Sequence, residues 1–277
     1  HAVWTALIKE SRDPLAFNLL QAVPFLPAAL ALLLWIDLGA VPREAWRMLA
    51  ASCVIHAAYV FWMGRALAGA ELSVVYVSLS STPAFLPLAA VPLLGETVSV
   101  QGAVGIAVVV LGMWLVHTRG DARLRSFLQP GTGFAYLVLL ATVAYSLTDK
   151  AAMAALSGAE WREPVPRALV YFVLLGLGHA TLVAPFVLAR TGPRALWSQG
   201  RAEWRRILYA AAGTTASYTL ILEALRHAPV SYVAAVRQSS VLFAVGIGAL
   251  WLGEVPGPWR LGGAVLTVAG VVLVSLA

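Results

Sequence analysis

Apolar residues run along this chain in long stretches, which are separated by short segments rich in charged residues, Gly and Pro. A helix needs ~20 mostly apolar residues to cross a bilayer, and the backbone within the hydrocarbon must pair its own polar groups. The sequence therefore predicts nine complete membrane-spanning helices. Their expected bounds are residues 14–36, 46–67, 72–94, 99–118, 133–156, 167–190, 204–226, 230–252 and 257–277.

The opening residues, HAVWTALIK, are apolar but too short to cross a bilayer by themselves. They match the end of the predicted helix that contains AYSLTDK at residues 144–150. We therefore expect the sequence to start inside its first membrane helix. The predicted fold class is an all-α integral membrane protein with ten transmembrane helices, the first of them truncated.

One stretch of the sequence is present twice. Residues 66–118 align without a gap with residues 224–276, at a constant offset of 158. The matches that carry weight are at Gly, Ser, Phe and Glu positions, because Ala, Leu and Val coincide often in such a composition. They include Ser73/Ser231, Ser81/Ser239, Phe85/Phe243, Leu94-Gly95-Glu96 with Leu252-Gly253-Glu254, Gly105/Gly263 and Gly112/Gly270. The pattern indicates an internal duplication.

The duplication predicts the organisation of the domains. Residues 1–118 form a first repeat of five helices, residues 119–132 connect the repeats, and residues 133–277 form a second repeat of five. Because five is an odd number, the second repeat must enter the membrane from the opposite side. The repeats are then expected to be inverted, related by a pseudo-two-fold axis in the membrane plane.

Composition agrees with a membrane protein and excludes several other classes. The chain is 60% hydrophobic and 12% charged, which is more apolar surface than one soluble core can hide. The formal net charge of +6 comes mainly from residues between the apolar runs, so it is expected to orient helices in a lipid bilayer and not to bind nucleic acid. Lys and Arg concentrate after the odd-numbered helices, which predicts that both termini lie outside the cytoplasm.

Neither a cofactor nor a metal is expected, and no enzyme activity is predicted. Cys53 is the single cysteine, which excludes an internal disulfide or a cysteine cluster. The sequence has no HExxH, GxSxG or Walker pattern. Gly176-Leu177-Gly178 and Gly246-Ile247-Gly248 lie within apolar helices with no strand before them, unlike a dinucleotide-binding loop.

Arg237 is the most unusual polar residue, because it lies within the predicted helix at 230–252. A charged side chain at membrane depth costs ~2.5–3.5 kcal/mol on insertion scales, so it must face a partner or a cavity. The guanidinium fork suits a carboxylate or phosphate, and Gln238 and Ser240 add polar groups nearby. The alternative is a structural ion pair between Arg237 and a buried acid, Asp149 or Glu223.

The helix predicted at 72–94 combines hydroxyls with prolines. Tyr76 and Ser80 lie on the same face as Pro83 and Pro87 at helical spacing, so the hydroxyls are candidates for binding a solute. The prolines predict a kink that exposes backbone carbonyls and suits a moving gate. Hydroxyls also hold static helix pairs together in membranes, so a purely structural role stays open.

Three further ionisable residues are candidates for coupling or gating. Asp149 lies near the end of its predicted helix and could bind substrate or a proton, or belong to a structural ion pair. Its neighbour Lys150 is expected to extend toward the surface. Glu223 lies near a helix end, where solvation is easy. His56 lies within a predicted helix, where hydrogen-bonded structure is the alternative to a proton relay.

With these residues in view, the chain resembles EamA-type members of the drug/metabolite transporter superfamily over essentially its whole length. The resemblance implies two five-helix repeats and transport of small molecules. The residues that carry it are HAVW at 1–4 with Lys9, RDPLAF at 12–17, LSVVY at 72–76 with SSTP at 80–83, LLGE at 93–96, AYSLTDK at 144–150, and VAAVRQSSVLF at 233–243 with LGE at 252–254.

The chain also departs from similar sequences. After the tryptophan they often carry Asn, whereas this chain has Thr5. In the fourth helix they often carry Arg, whereas this chain has Ser80. After the arginine of the ninth helix they often carry Glu, whereas this chain has Gln238. The cavity is therefore expected to carry less charge than that of its relatives. Their usual orientation places the termini in the cytoplasm, which disagrees with the distribution of Lys and Arg.

These observations lead to three functional hypotheses. The first is a secondary transporter, an exporter or exchanger of small polar or amphipathic metabolites, either neutral or anionic, which works by alternating access in the inner (plasma) membrane. The second is a structural or assembly subunit of a membrane complex that has kept a transporter fold. The third is a translocase of a lipid-linked molecule. A homodimer or a membrane-complex partner is possible in each case.

Overall fold

The computed structural model describes residues 11–118, 127, 129, 132–158, 165–243, 246 and 257–277. Within these residues the chain is helical and contains no strand. The α-helices are α1 (Pro14–Leu20), α2 (Leu26–Trp35), α3 (Arg43–Gly69), α4 (Leu72–Ser80), α5 (Thr82–Leu94), α6 (Val100–Thr118), α7 (Gly133–Ala155), α8 (Arg167–Thr191), α9 (Pro193–His227), α10 (Val230–Arg237) and α11 (Pro258–Ser275). Short 3₁₀ turns lie at Val23–Phe25, Leu38–Ala40 and Leu156–Gly158.

Seven segments in the described part of the chain are long and apolar enough to cross a membrane. They are Pro14–Trp35, Arg43–Gly69, Val74–Leu94, Val100–Thr118, Gly133–Leu156, Arg167–Thr191 and Pro258–Ser275. These correspond to seven of the nine expected complete spans. The expected span at 230–252 is described only in part, because residues 244, 245 and 247–252 lie outside the described residues, as do the opening HAVWTALIK and the LGE at 252–254.

The segment between the expected spans at 167–190 and 204–226 is not a separate connection, because the structure continues α9 through it from Pro193 to His227. Gly192 ends α8 with a φ of 77°, and Pro193 begins the next helix, where its missing N–H costs nothing. The charged residues that follow exclude this part from the hydrocarbon but not from helical structure. The expected membrane span at 204–226 is therefore only the second part of a longer helix.

The described chain forms two compact units. Unit 1 contains residues 1–58 and 148–227, and unit 2 contains residues 59–147 and 228–277. In unit 1, α1 packs on α8 and α9, and α8 packs along α9. In unit 2, α6 packs along α11, and α10 packs on α5, α6 and α11. Each unit therefore combines segments from both halves of the sequence.

Repeat-related glycines meet where α6 packs on α11. A Cβ on Gly112 would lie 2.7 Å from the carbonyl oxygen of Gly263, and one on Gly105 would lie 3.0 Å from that of Gly270. In the repeat, Gly105 corresponds to Gly263 and Gly112 corresponds to Gly270. Exchanging the two repeats therefore converts the contact of Gly112 with Gly263 into the contact of Gly270 with Gly105. Residue numbers rise along one helix as they fall along the other, so α6 and α11 run antiparallel about a local two-fold axis.

Candidate functional site

A buried carboxylate lies at the centre of the polar groups in unit 1. Asp149 of α7 is only 1% exposed. Its Oδ1 accepts hydrogen bonds from Ser52 Oγ at 2.6 Å and from Tyr171 Oη at 2.7 Å, and its Oδ2 accepts one from Tyr218 Oη at 2.6 Å. These donors come from α3, α8 and α9, so the carboxylate joins four helices. A buried carboxylate requires such donors, because it has lost its hydration.

The network continues outward through His56 of α3. His56 Nε2 lies 3.0 Å from Tyr218 Oη, and Nδ1 lies 2.9 Å from the carbonyl oxygen of Ser52. Ser52 and His56 are four residues apart, so both lie on one face of α3. Ser52 and Tyr171 are fully buried, whereas His56 and Tyr218 are half-buried. The network therefore leads from a closed position at Asp149 to a more accessible one at His56.

Aromatic and weakly polar groups surround this network, which we name the Asp149 network (Ser52, His56, Asp149, Tyr171 and Tyr218). The Tyr218 ring contacts the His56 ring edge-on at 5.9 Å and the Phe172 ring at 5.8 Å. Cys53 lies close enough to Asp149 to interact electrostatically, and His179 lies similarly close to His56. His179 Nε2 is buried without a hydrogen-bond partner among the described residues.

The other charged candidates of unit 1 bind to groups near the end of α9. Lys150 Nζ donates to the carbonyl oxygen of Leu225 at 2.5 Å, which satisfies a carbonyl in the last turn of the helix. Glu223 Oε1 accepts from Arg226 at 2.5 Å and lies 3.2 Å from His227 Nε2. The bond to Leu225 gives Lys150 a partner within the protein, and Glu223 belongs to a charged cluster at a helix end.

In unit 2, the first copy of the repeat is interrupted at Ser81, between α4 and α5. Pro83 has no N–H to donate to the Leu79 carbonyl, and the Thr82 hydroxyl takes its place at 2.6 Å. Ser81 Oγ donates to the Val77 carbonyl at 2.8 Å and accepts from Trp114 Nε1 at 2.9 Å. The break lies next to the predicted prolines, of which Pro83 is the second residue of α5 and Pro87 lies inside it.

The second copy is interrupted at the same repeat position, which the sequence does not predict. We expected an unbroken helix around Arg237, but α10 ends at this residue, and Gln238 and Ser239 form a turn. The amides of Gln238, Ser239, Val241 and Leu242 all bond to carbonyls three residues earlier, which is the tighter 3₁₀ pattern. Val241 is the counterpart of Pro83, so this interruption forms without a proline.

Arg237 lies near Tyr59, which has two further tyrosines close to it. Its guanidinium lies close enough to the Tyr59 hydroxyl to interact with it electrostatically. Tyr145 and Tyr76 also lie close enough to Tyr59 to do so. The rings of Tyr59 and Tyr145 meet edge-on at 5.8 Å, and Tyr76 stacks on His117 at 5.6 Å. Arg237, Gln238 and Ser240 are half-buried, Tyr76 is partly buried, and Ser80, the last residue of α4, is buried. A cation with aromatic hydroxyls near it can bind an anionic group.

Glu96 holds the helix that carries Arg237. Its Oε1 accepts from the Val230 backbone N–H, the first of α10, at 2.8 Å. The donor would otherwise lack an acceptor, because Pro229 precedes the helix and its side chain cannot cap it. Gly95 positions Glu96 with a φ of 65°, where the chain leaves α5. The repeated Leu-Gly-Glu motif thus has a structural role in its first copy, a role that the sequence did not suggest.

The structure places the predicted site residues, apart from Glu223, in two groups. His56 and Asp149 belong to unit 1 and are joined through Tyr218, with Ser52 and Tyr171 as members that the sequence did not reveal. Arg237, Gln238, Ser240, Tyr76, Ser80, Pro83 and Pro87 belong to unit 2, where α10 packs on α5. In the sequence, the spacing of four residues between Ser52 and His56 was the available indication that both lie on the same face of α3. Among the described residues, no group of three or more His, Cys, Asp or Glu side chains could hold a metal ion.

Comparisons with known proteins agree with this architecture. The family model described as the EamA-like transporter family matches residues 1–118 and 132–276. One solved protein, described as "Crystal structure of protein", aligns with a TM-score of 0.72 at 17% identity, over 99% of this chain and 92% of that chain. At this identity the likeness concerns the fold alone. No curated protein sequence matches the chain significantly.

Proposed function

Because this chain belongs to the EamA-like transporter family and is a multi-pass membrane protein that transports small molecules, we propose that it is a secondary transporter working by alternating access. Its substrates are small polar or amphipathic metabolites that carry an anionic group. It acts as an exporter or exchanger in the inner (plasma) membrane. The observation that carries the proposal is the pair of helix interruptions at Ser81 and Ser239, the second next to Arg237.

Helix breaks at corresponding positions of two repeats are typical of substrate sites in transporters, since they place helix ends within the membrane, where these ends can face a ligand. Here the broken helices α4/α5 and α10 belong to the same unit, and α10 packs on α5. Arg237 ends α10 at the break. In this position its positive charge is also favoured by the carbonyl end of the helix, so it can remain charged without a substrate.

The substrate site has Arg237 at its centre. Arg237 binds the anionic group through its guanidinium fork, and Tyr76, Ser80, Gln238 and Ser240 supply neutral hydrogen-bonding groups for the rest of the substrate. Pro83 and Pro87 permit the bending of α5 that opens and closes the site. Asp149 modulates the charge of the transport pathway, and Glu223 contributes to gating from the end of α9.

Alternating access follows from the inverted repeats. The antiparallel two-fold contact of α6 and α11 supports an exchange of roles between the two five-helix halves, residues 1–118 and 133–277. Such an exchange converts an outward-facing state into an inward-facing one without new contacts. The glycines at this contact allow the two backbones to touch, which makes this pair of helices a suitable axis for the movement.

Ligand binding tests the site before any transport is measured. Purified protein is heated with phosphorylated sugars, dicarboxylates or amino acids, each paired with a neutral analogue, and the melting temperature is recorded. We expect anionic compounds to stabilise the wild-type protein, since a ligand at 100 times its Kd adds about 2.7 kcal/mol to the free energy of unfolding. Arg237→Gln should remove this stabilisation. Arg47→Gln, at an exposed ion pair on α3, is the control. Equal stabilisation of wild type and Arg237→Gln would refute the site.

A further inference from the structure

Three side chains of the Asp149 network lie in a row within unit 1. His56 Nδ1 is 2.9 Å from the Ser52 carbonyl oxygen, His56 Nε2 is 3.0 Å from Tyr218 Oη, and Tyr218 Oη is 2.6 Å from Asp149 Oδ2. All three distances are those of hydrogen bonds. Each of these contacts therefore needs one proton between its two atoms.

Two protons do not satisfy three contacts. The Ser52 carbonyl has no proton to give, so His56 must donate from Nδ1. Tyr218 has one hydroxyl proton, which can serve Asp149 or His56 Nε2, but not both. The Ser52 hydroxyl also lies 3.1 Å from His56 Nδ1, but its single proton is used at the closer Asp149 Oδ1, 2.6 Å away. A neutral His56 beside an ionised Asp149 therefore leaves one close pair of acceptors with no proton between them, in either tautomer of the ring.

A third proton satisfies every contact, in two ways. In the first arrangement His56 is an imidazolium that donates to Tyr218, which donates to an ionised Asp149. In the second, Asp149 carries the proton and donates to Tyr218, which donates to a neutral His56. Tyr218 converts one into the other by releasing its proton to one neighbour as it accepts a proton from the other. Neither the number of protons nor the net charge changes in this step.

Charge favours the same occupancy. With three protons, His56, Tyr218 and Asp149 have no net charge, whereas with two they carry a single negative charge inside a membrane protein, which is costly. Among the described residues, the groups that face them include the hydroxyls of Ser52 and Tyr171, the Cys53 thiol and the His179 imidazole. On the same helices, Lys150 donates to the Leu225 carbonyl and Glu223 pairs with Arg226.

We propose that His56, Tyr218 and Asp149 form one proton-binding site, which takes up and releases a single proton as a unit. Proton exchange occurs at the half-buried His56 end, and Tyr218 passes the charge to the buried carboxylate. In the transport cycle this site couples substrate movement to a proton gradient; that use rests on the proposed function, whereas proton binding itself does not.

Infrared difference spectroscopy tests the site without any substrate. The full chain, with isotope-labelled histidine, is reconstituted in phosphatidylcholine and phosphatidylglycerol vesicles and titrated with acid and base. The carboxyl band that Asp149→Asn removes and the imidazole band that His56→Gln removes report the two ends of the site. We expect both bands to change at one common pH in the wild-type protein, because the groups titrate as a coupled pair.

Tyr218→Phe separates the two ends while keeping the ring contacts with His56 and Phe172. We expect this variant to titrate in two steps that lie at least about one pH unit apart, which is a tenfold difference in proton affinity. Tyr209→Phe, at a 70% exposed tyrosine of the same helix α9, should keep the common step. His227→Gln, at an exposed histidine of α9, should leave the imidazole signal of His56 in place.

The results separate this proposal from the proposed function. Two independent steps in the wild-type protein, or a common step that persists in Tyr218→Phe, would overturn the proton site but leave ligand binding at Arg237 unaffected. Should Asp149→Asn fail to fold, as judged by circular dichroism, Ser52→Ala replaces it: removing one donor should displace the shared step for both bands together. A displacement of the carboxyl band alone would also contradict a single site.

Discussion

Gly112 and Gly263 touch through their backbones: a Cβ on Gly263 would lie 2.6 Å from the carbonyl oxygen of Gly112. A residue with a Cβ at this position would prevent the two backbones from coming this close. The same holds for the repeat-related pair Gly105 and Gly270. Two glycine contacts, exchanged by the repeat, thus hold α6 against α11 and explain why the duplication retains glycine at these positions.

Gly263→Ala should destabilise the protein, since its new methyl group meets backbone atoms that cannot turn away. Overpacking of this kind costs about 1–3 kcal/mol. The neighbouring Gly262 offers a matched control, because a Cβ there meets nothing within 4 Å. Gly262→Ala should be neutral or stabilise α11 by up to about 1 kcal/mol. Unfolding in detergent measures both variants, and equal effects would argue against the close packing.

Glu96→Gln should weaken α10 by loss of charge at the Val230 amide, and Glu96→Ala should weaken it further. Loss of a helix cap costs about 0.5–2 kcal/mol. Glu44→Ala, which breaks an exposed ion pair with Arg47, should cost at most about 1 kcal/mol. Chemical unfolding of the purified proteins compares the two sites. If Glu96→Ala were as mild as Glu44→Ala, the cap would have no energetic importance.

Tyr171→Phe should destabilise unit 1, because it removes a hydroxyl that donates to the buried Asp149 while keeping the ring. A hydrogen bond to a charged group contributes about 1.5–3 kcal/mol. Tyr209→Phe on the exposed face of α9 should change the free energy of unfolding by less than about 0.5 kcal/mol. A loss of stability confined to Tyr171→Phe supports the Asp149 network, and equal values for the two variants contradict it.

Pro83→Ala should leave the interruption at Ser81 in place. In the second copy the counterpart is Val241, and the chain is nevertheless broken at Gln238 and Ser239. The Thr82 hydroxyl bond to Leu79 also remains. We expect unfolding to change by less than about 1 kcal/mol, because the site already tolerates the break. A cysteine-accessibility or spectroscopic comparison that found a continuous helix from Leu72 to Leu94 would show that Pro83 alone causes the break.

The sequence was sufficient to predict most of the helices, but not their contacts. Seven expected spans follow directly from the length of apolar runs, and the prolines at 83 and 87 predicted a kink in the helix that is interrupted at Ser81. The break at Ser239 could not be predicted from a proline, because Val241 takes the place of Pro83 there. This break depends on packing around α10. The long α9 was missed since charges exclude a segment from the hydrocarbon without ending a helix.

The candidate sites show the same limit. Asp149 and His56 were predicted as candidates because ionisable residues are rare in apolar helices. Ser52 and Tyr171 were missed because their importance lies in which side of α3 and α8 faces α7, and helix rotation cannot be read from one sequence. The role of Glu96 was missed for the same reason: its partner, the Val230 amide, lies 134 residues away along the chain.

Counterflow in proteoliposomes tests the central claim, transport through a site at Arg237, most directly. Vesicles loaded with an anionic metabolite that stabilises the protein are diluted into its radiolabelled form, and uptake is followed for wild type, Arg237→Ala and the control Arg47→Ala. We predict rapid exchange for wild type and for Arg47→Ala. Loss of a charge-assisted contact of about 1.5–3 kcal/mol should reduce exchange by Arg237→Ala roughly ten- to hundred-fold. Equal exchange by wild type and Arg237→Ala would contradict the account.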